Sequence, residues 1–330
     1  MKQGKKSLIT GITGQDGAYL ARFLLARGHR VTGVLSKGHK HSLQRLKLLG
    51  VAEKIEWLTC DLKDPQGVGK LLSKARPQEI YNLAAISSVG LSFEAPYPSV
   101  YFNVLTITAL LEAVRRLKLD AKIYQASSSE MFGNAKKFPA NENTLLNPIS
   151  PYATSKLAGH MLVRNYRLAY KIFCCSGILF NHESVLRPDN FVTKKILSTA
   201  IRIAHGSREK LYLGNTAIKR DWGYAPEYVK AMWLMLQAPA PDDFVIASGE
   251  THSLQEFVEL VFENLGLDSK KHVETDKNFY RAMDISMTLG DSTKAKKVLG
   301  WKYAMPFPKL VSTLVRDEVH YQKYGAIRDF

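Results

Sequence analysis

Along the first half of the chain, short apolar runs alternate with stretches whose apolar residues recur every three to four positions. The runs at 7–10, 30–35, 54–59, 79–83, 121–127 and 172–180 predict strands, and the patterns at 18–26, 68–74, 101–117 and 152–170 predict helices between them. A strand-then-helix rhythm predicts a parallel, doubly wound sheet, because each strand must cross over through a helix to lie beside its neighbour. Ligands of such a sheet gather at the C-terminal ends of its strands. After residue 180 the rhythm breaks. A helix at 191–204, a strand at 211–213, a helix at 228–237, a strand at 244–247, a helix opening near Ser253 and a last helix at 310–321 are joined by segments rich in proline. The expected organisation is therefore a first domain at 1–180 and a smaller, mostly helical lobe at 181–330, some of whose segments return to the sheet.

Composition narrows this only modestly. At 330 residues with 45% apolar and 23% charged, the chain has room for one large core or two unequal domains, which excludes a disordered tail and a disulfide-stapled module. No run approaches the roughly 18–20 apolar residues of a membrane span, and residues 1–6 lead straight into the first strand, so a soluble, cytoplasmic protein is expected. The formal charge of +16 attracts polyanions: nucleic acid, an acidic membrane face or a phosphorylated small molecule. The basic residues are spread along the chain, with no zinc-finger spacing and no RNA-reading aromatic motif, so neither nucleic acid nor membrane is the expected partner. Cys60, Cys174 and Cys175 lack metal-ligand spacing and read as reduced core residues; no metal is expected.

Three segments carry candidate chemistry. The first strand runs into Thr10-Gly11-Ile12-Thr13-Gly14-Gln15-Asp16-Gly17, whose glycines allow a tight turn that brings backbone N–H groups and a helix N-terminus toward a pyrophosphate. The spacing alone also suits an ordinary turn; its place before the first crossover helix favours a dinucleotide and a Rossmann-like domain. Where an NAD site would place an acid after the second strand, this chain has Lys37, His39, Lys40 and Arg45, which suit the 2'-phosphate of NADP but also a solvated basic loop, so NAD stays possible. Asp61 and Leu62 after the third strand are candidate adenine contacts, and Leu83, Ala84 and Ala85 after the fourth would border the middle of the cofactor. In Ser150-Pro151-Tyr152-Ala153-Thr154-Ser155-Lys156, a serine cap and Pro151 open a helix that presents Tyr152 and Lys156 on one face. An ammonium beside a phenol favours phenolate, so Tyr152 could take a proton from a sugar hydroxyl. The fifth strand ends in Ser127-Ser128-Ser129-Glu130, either a hydroxyl cluster and carboxylate for a reacting carbonyl or a serine-rich loop with a capping acid.

These segments, with YNLAA (81–85), YQASSSEMFG (124–133), GILFNHES (177–184), FVTKKI (191–196), KRDWGYA (219–225) and LGW (299–301), closely resemble the GDP-mannose 4,6-dehydratase family of extended short-chain dehydrogenases/reductases, over almost the whole chain. The resemblance implies a lyase that oxidises C4 of a nucleotide-linked hexose, expels water from C6 and returns hydride there, leaving a 4-keto-6-deoxy sugar. It implies Tyr152 as the C4 base supported by Lys156, Ser128 holding O4, and Glu130 as the acid/base of elimination. Asn181, Lys195, Arg220 and Arg281 would meet the diphosphate, guanine and ribose, with Glu183 and Arg187 beside them, while His182 reads as structural. The family also implies a homodimer through a helix bundle, for which the wide apolar stripe at 104–117 is a second indication, and in some members a homotetramer.

Departures from the family pattern bear on specificity. Ile86, Ser87 and Ser88 replace its Gln and ring beside the expected sugar pocket, which raises a bulkier hexose, GDP-N-acetylglucosamine or a GDP-heptose, as an alternative to GDP-mannose. Lys37-Gly38-His39-Lys40 replaces an arginine-serine loop associated with NADP and tetramers, and Ala282 follows Arg281 in place of proline. A 4-epimerase, in which Glu130 would have no elimination to perform, and a non-catalytic nucleotide- or nucleic-acid-binding protein are the remaining alternatives.

Overall fold

Leu8 and Ile9, Ile80 and Tyr81, Ile123 and Tyr124, and Cys174 and Cys175 are sequence neighbours that are fully buried in two different cores. Because successive strand residues point to opposite faces, such pairs are the mark of strands covered on both sides. The structure is a computed structural model that describes residues 4–38, 42–280 and 283–328. In chain order the first half comprises β1 (Lys6–Thr10), α1 (Gln15–Ala26), β2 (Arg30–Leu35), α2 (Gln44–Leu48), β3 (Glu56–Thr59), α3 (Pro65–Ala75), β4 (Glu79–Asn82), α4 (Val89–Glu94), α5 (Pro96–Arg116), β5 (Lys122–Ser128), α6 (Pro151–Tyr170) and β6 (Cys174–Leu179). The second half comprises β7 (Asn181–Glu183), α7 (Val192–Ala204), β8 (Leu211–Leu213), β9 (Lys219–Arg220), β10 (Trp222–Tyr224), α8 (Ala225–Gln237), β11 (Asp243–Ile246), β12 (His252–Ser253), α9 (Leu254–Asn264), β13 (Val273–Thr275), α10 (Thr293–Leu299) and α11 (Phe307–Tyr324).

Seven strands form one parallel sheet in the order β11-β6-β5-β4-β1-β2-β3. From β1 the chain moves one way to β2 and β3 and then returns to β4 on the other side, so a crevice opens between the ends of β1 and β4. Helices α1 and α8 pack on one face, and α3, α5 and α6 on the other. A separate core joins α7, α9 and α11 through Ile196, Phe257, Val261, Leu310 and Leu314. Two short strand pairs outside the main sheet, β7 with β10 and β9 with β12, knit segments of the second half together.

Local rules explain the helix starts. Ser150 Oγ accepts the Ala153 N–H at 3.1 Å with Pro151 in the first turn of α6; Asp64 caps α3 in the same way, and Ser253 and Glu256 form a reciprocal capping box on α9. Helix α5 begins at Pro96, ahead of its apolar stripe, because proline is tolerated in a first turn. Strand β11 pairs in parallel with β6, so this segment of the second half extends the main sheet.

Candidate active site

Gly11 leaves β1 with φ +68°, and a Cβ there would lie 2.7 Å from the Ala84 nitrogen. A Cβ on Gly17 would come within 2.4 Å of the Gly11 carbonyl oxygen. These two glycines are therefore required by the turn's own packing. Gly14 differs: it lines the cleft, its N–H donates to Gly11 O at 3.0 Å, and a Cβ there would lie 3.2 Å from that same oxygen. As the N-cap of α1 it brings no side-chain oxygen to the helix's first N–H groups, which leaves a cradle of the shape and polarity a dinucleotide pyrophosphate needs. Asp16, in the first turn, is drawn aside by His182, whose Nε2 lies 2.9 Å from Oδ2. Burial pushes the Asp16 carboxyl up, but the charge and hydrogen bond of His182 outweigh it and leave it at about 2. Burial lowers His182 in turn, while Asp16 raises it further, so the imidazole titrates above its ordinary value. Gln15 Nε2 donates to His182 O, and Ser184 Oγ donates to Gln15 Oε1, which completes a tie between the glycine turn and the segment after β6.

A polar ladder crosses the strand ends beneath the cleft. Thr10 Oγ1 donates to Asn82 Oδ1 (2.6 Å), Asn82 Nδ2 to Gln125 Oε1 (2.7 Å), and Gln125 Nε2 to Ala126 O. The same Ala126 carbonyl accepts Lys156 Nζ at 2.8 Å, which fixes the ammonium at the head of β5. Lys156 Nζ lies 5.7 Å from the Tyr152 ring centroid, one turn back on α6. Burial lowers Lys156 to about 8. It raises Tyr152 to about 12, against a hydrogen bond from Ser128 that pulls the phenol down. Ser128 Oγ also accepts the Glu130 N–H, so hydroxyl and carboxylate sit on one tight turn directly after β5. Ser128, Glu130, Tyr152 and Lys156 all line the cleft into which Gly11, Gly14, Gln15, Asp16 and Gly17 face.

The structure separates the remaining sequence-derived candidates. Leu83, Ala85, Ser87 and Ser88 line the cleft; Ile86 does not, its backbone being pinned on both sides by the Asn103 amide. Asn103 continues through Ser155 Oγ to the Tyr152 carbonyl, so this loop is braced against α6. Thr13 and Ala84 belong to the turn's backbone scaffold: Thr13 O accepts Arg45 Nη1, and the Ala84 N–H donates to Thr10 Oγ1. Arg45 thereby stands beside the glycine turn, and Lys37 is exposed just past β2. The Leu62 side chain is buried in the core, and Asp61 holds Lys63. Asn181, Glu183, Arg187 and Arg220 line the cleft from the second lobe. Arg187 pairs with Glu183 at 3.2 Å, and Glu183 also accepts Thr193 Oγ1. Arg220 donates to Ile285 O and Asp284 Oδ1. Lys195 does not line the cleft; its Nζ donates to Tyr212 O. His39, Lys40 and Arg281 lie outside the described residues. Sequence reasoning did not single out Thr193, Ile218, Trp222 or Leu254 as cleft residues, although Trp222 stands within the RDWG stretch.

Among the described residues no helix is long and apolar enough to cross a membrane, and no group of three or more His, Cys, Asp or Glu could hold a metal. The fold is shared with a UDP-glucose 4-epimerase from Thermotoga maritima (TM-score 0.85, 22% identity, 96% of this chain and 99% of that one) and with a dTDP-glucose 4,6-dehydratase from Bacillus anthracis in complex with NAD (TM-score 0.84, 20% identity, 97% of each). In sequence the chain is 44% identical to GDP-mannose 4,6 dehydratase 1 of Arabidopsis thaliana, across 98% of this chain and 92% of that protein. The sequence profile of the GDP-mannose 4,6 dehydratases matches residues 8–314, and with the serine–glutamate turn and the tyrosine–lysine helix on one cleft this places the chain in the GDP-mannose 4,6-dehydratase family.

Proposed function

We propose that this chain is a hydro-lyase that converts GDP-mannose to its 4-keto-6-deoxy form, with residues 1–180 holding the nicotinamide cofactor and 181–330 the nucleotide sugar. The observation that carries this reading is the convergence of Ser128, Glu130, Tyr152 and Lys156 on the cleft that also receives the glycine turn. A bound nicotinamide supplies a hydride acceptor for C4 and a donor for C6, with no net redox change. Tyr152 takes the proton of the C4 hydroxyl as the ketone forms, and Ser128 holds that oxygen. A phenol held up at about 12 is protonated at neutral pH, so the loaded site must place positive charge beside it; Lys156 and Arg187 are this chain's contributions. Once C4 is a ketone the C5 proton is acidic. Glu130 removes it and delivers a proton to the departing C6 hydroxyl, a two-way role that suits syn elimination from one face. Asn181, Arg187 and Arg220 would hold the diphosphate side of the sugar nucleotide.

The basic pair Lys37 and Arg45, and the lack of an acid directly after β2, favour NADP over NAD. The decisive experiment incubates the purified protein with GDP-mannose and NADP or NAD and reads product mass. A product lighter by one water is expected. A product that keeps the C6 oxygen would indicate an epimerase, and turnover of no nucleotide sugar would end the enzymatic reading. Small Ser87 and Ser88 on the cleft wall leave room for a larger hexose, so GDP-N-acetylglucosamine and a GDP-heptose belong in the same assay.

A further inference from the structure

Arg220 and Trp222 line the cleft, and Asp221 between them points the other way, into the protein. Its side chain is fully buried. Oδ1 accepts the Ser248 N–H and the Ser248 hydroxyl, both at 2.8 Å; Oδ2 accepts the Gly249 N–H at 3.1 Å and the Gly290 N–H at 3.2 Å. Its own N–H donates to Thr288 Oγ1 at 3.0 Å. One carboxylate therefore gathers the loop after β11 and the segment 284–291. That segment is the one that grips Arg220, through Ile285 O at 2.7 Å and Asp284 at 2.8 Å, and it exchanges backbone hydrogen bonds with Lys219 at Ser286 and Thr288. The backbone at Gly290 can approach only because no side chain is present: a Cβ would lie 2.4 Å from that of Ala247 and 2.7 Å from the Phe180 ring.

Burying a carboxylate is costly unless its hydrogen bonds fix something. From this geometry we propose that Asp221 is a positioning residue that pre-forms the nucleotide half of the cleft: by tying 248–249 and 284–291 together it sets the guanidinium of Arg220 before the sugar nucleotide arrives. The inference rests on the reading of Arg220 as a diphosphate or base contact. Asp221→Asn places an amide where two backbone N–H groups need an acceptor, so the segment loses its anchor while side-chain size is kept.

The test uses the full chain, GDP as probe and titration calorimetry, with steady-state kinetics on GDP-mannose. Asp221→Asn is expected to raise the GDP Kd and the KM by about 10-fold or more, while kcat at saturation and the NADP Kd stay within about 3-fold. A residue that merely supports the fold would lower the active fraction or the cofactor affinity and leave KM alone. Because Asp221 acts through Arg220, the double variant with Arg220→Ala should bind GDP within about 2-fold of Arg220→Ala alone. A folded Asp221→Asn with wild-type GDP affinity, or losses that simply multiply in the double variant, overturns the inference. Should Asp221→Asn fail to fold, Ser248→Ala removes one of the four donors and is expected to weaken GDP about 3-fold; unchanged affinity there overturns it too. Arg220→Ala with undiminished GDP affinity removes the underlying reading, and the inference with it, whereas weakened binding by Arg220→Ala beside normal binding by Asp221→Asn refutes the Asp221 role alone.

Discussion

Asp16 and His182 hold each other's charge where the glycine turn meets the second lobe, and the consequence is a pH signature. Asp16 lies at about 2, below its unfolded value, so its contribution to stability is present above about pH 4 and is lost as the pH falls toward 2. His182 is raised, so its contribution is complete below about pH 6.5 and disappears as the pH climbs through the raised value. The pair therefore stabilises most between those limits, by about 2 kcal/mol at most. His182→Phe, which keeps the stack on Tyr228, should cost more stability near about pH 5.5 than near about pH 8.5 in urea denaturation. A cost independent of pH would show that the ion pair contributes nothing. On the proposed role of Tyr152, Tyr152→Phe is expected to reduce kcat/KM by about 1,000-fold or more without changing NADP affinity. Glu130→Gln should still oxidise C4 but release little dehydrated product, by mass spectrometry of single turnovers; normal elimination in that variant would contradict its role. Residue types and spacing made the glycine turn and the tyrosine–lysine pair readable in the sequence. They could not reveal Asp221 as a hub, since its partners at 248, 249 and 290 come together only in the fold.

At the level of elements, what was legible depended on length and repetition. Helices α1, α3, α5 and α6 carry enough periodic positions to be read directly, whereas α2, α4 and α10 have 5, 6 and 7 residues, about two turns or fewer, and leave no clear period. Strands β7 and β10, with 3 residues each, are defined by pairing with one another, a fact with no local signal. The strand at 244–247 and a return of second-half segments to the sheet were legible, but that β11 pairs with β6, and that Lys195 turns away from the cleft toward Tyr212, are set by long-range contacts. Elements also set the next expectations. Ser150→Ala removes the cap of the helix that carries Tyr152 and should lower unfolding free energy by about 1 kcal/mol. Gly17→Ala forces a Cβ to 2.4 Å from the Gly11 carbonyl oxygen, so the turn must open; equilibrium binding should show NADP affinity falling by about 10-fold or more while the second lobe still binds GDP. Equal losses for both ligands would mean that the turn supports the whole fold and not the cofactor site in particular.

For the whole molecule, the question is what covers the outer faces of α5 and α6. The core takes Ile107, Leu110, Leu111 and Val114 from the stripe of α5, but Tyr97 and Tyr101 at one end of the helix pair and Leu168 and Tyr170 at the other remain exposed, at 76%, 43%, 57% and 51%. The two helices are locked as one platform, since Tyr166 donates to Glu112 at 2.6 Å and Glu112 also pairs with Arg115 and Arg116. A two-fold axis across such a platform would bring the tyrosine end of one copy against the leucine end of the other, and that self-complementarity is what an isologous dimer requires. We therefore expect sedimentation equilibrium to give a dimer, and the pair Tyr101→Glu with Leu168→Glu to give a folded monomer. Helix α6 links this surface to chemistry, because its inner face holds Tyr152 and Lys156. Loss of the partner should then loosen α6 and lower kcat more than it raises KM, with a thermal midpoint that depends on concentration in the wild type but not in the variant. A wild-type chain that sediments as a monomer at every concentration would show that these faces stay open to solvent, and a fully active monomeric variant would show that α6 needs no support from a second subunit.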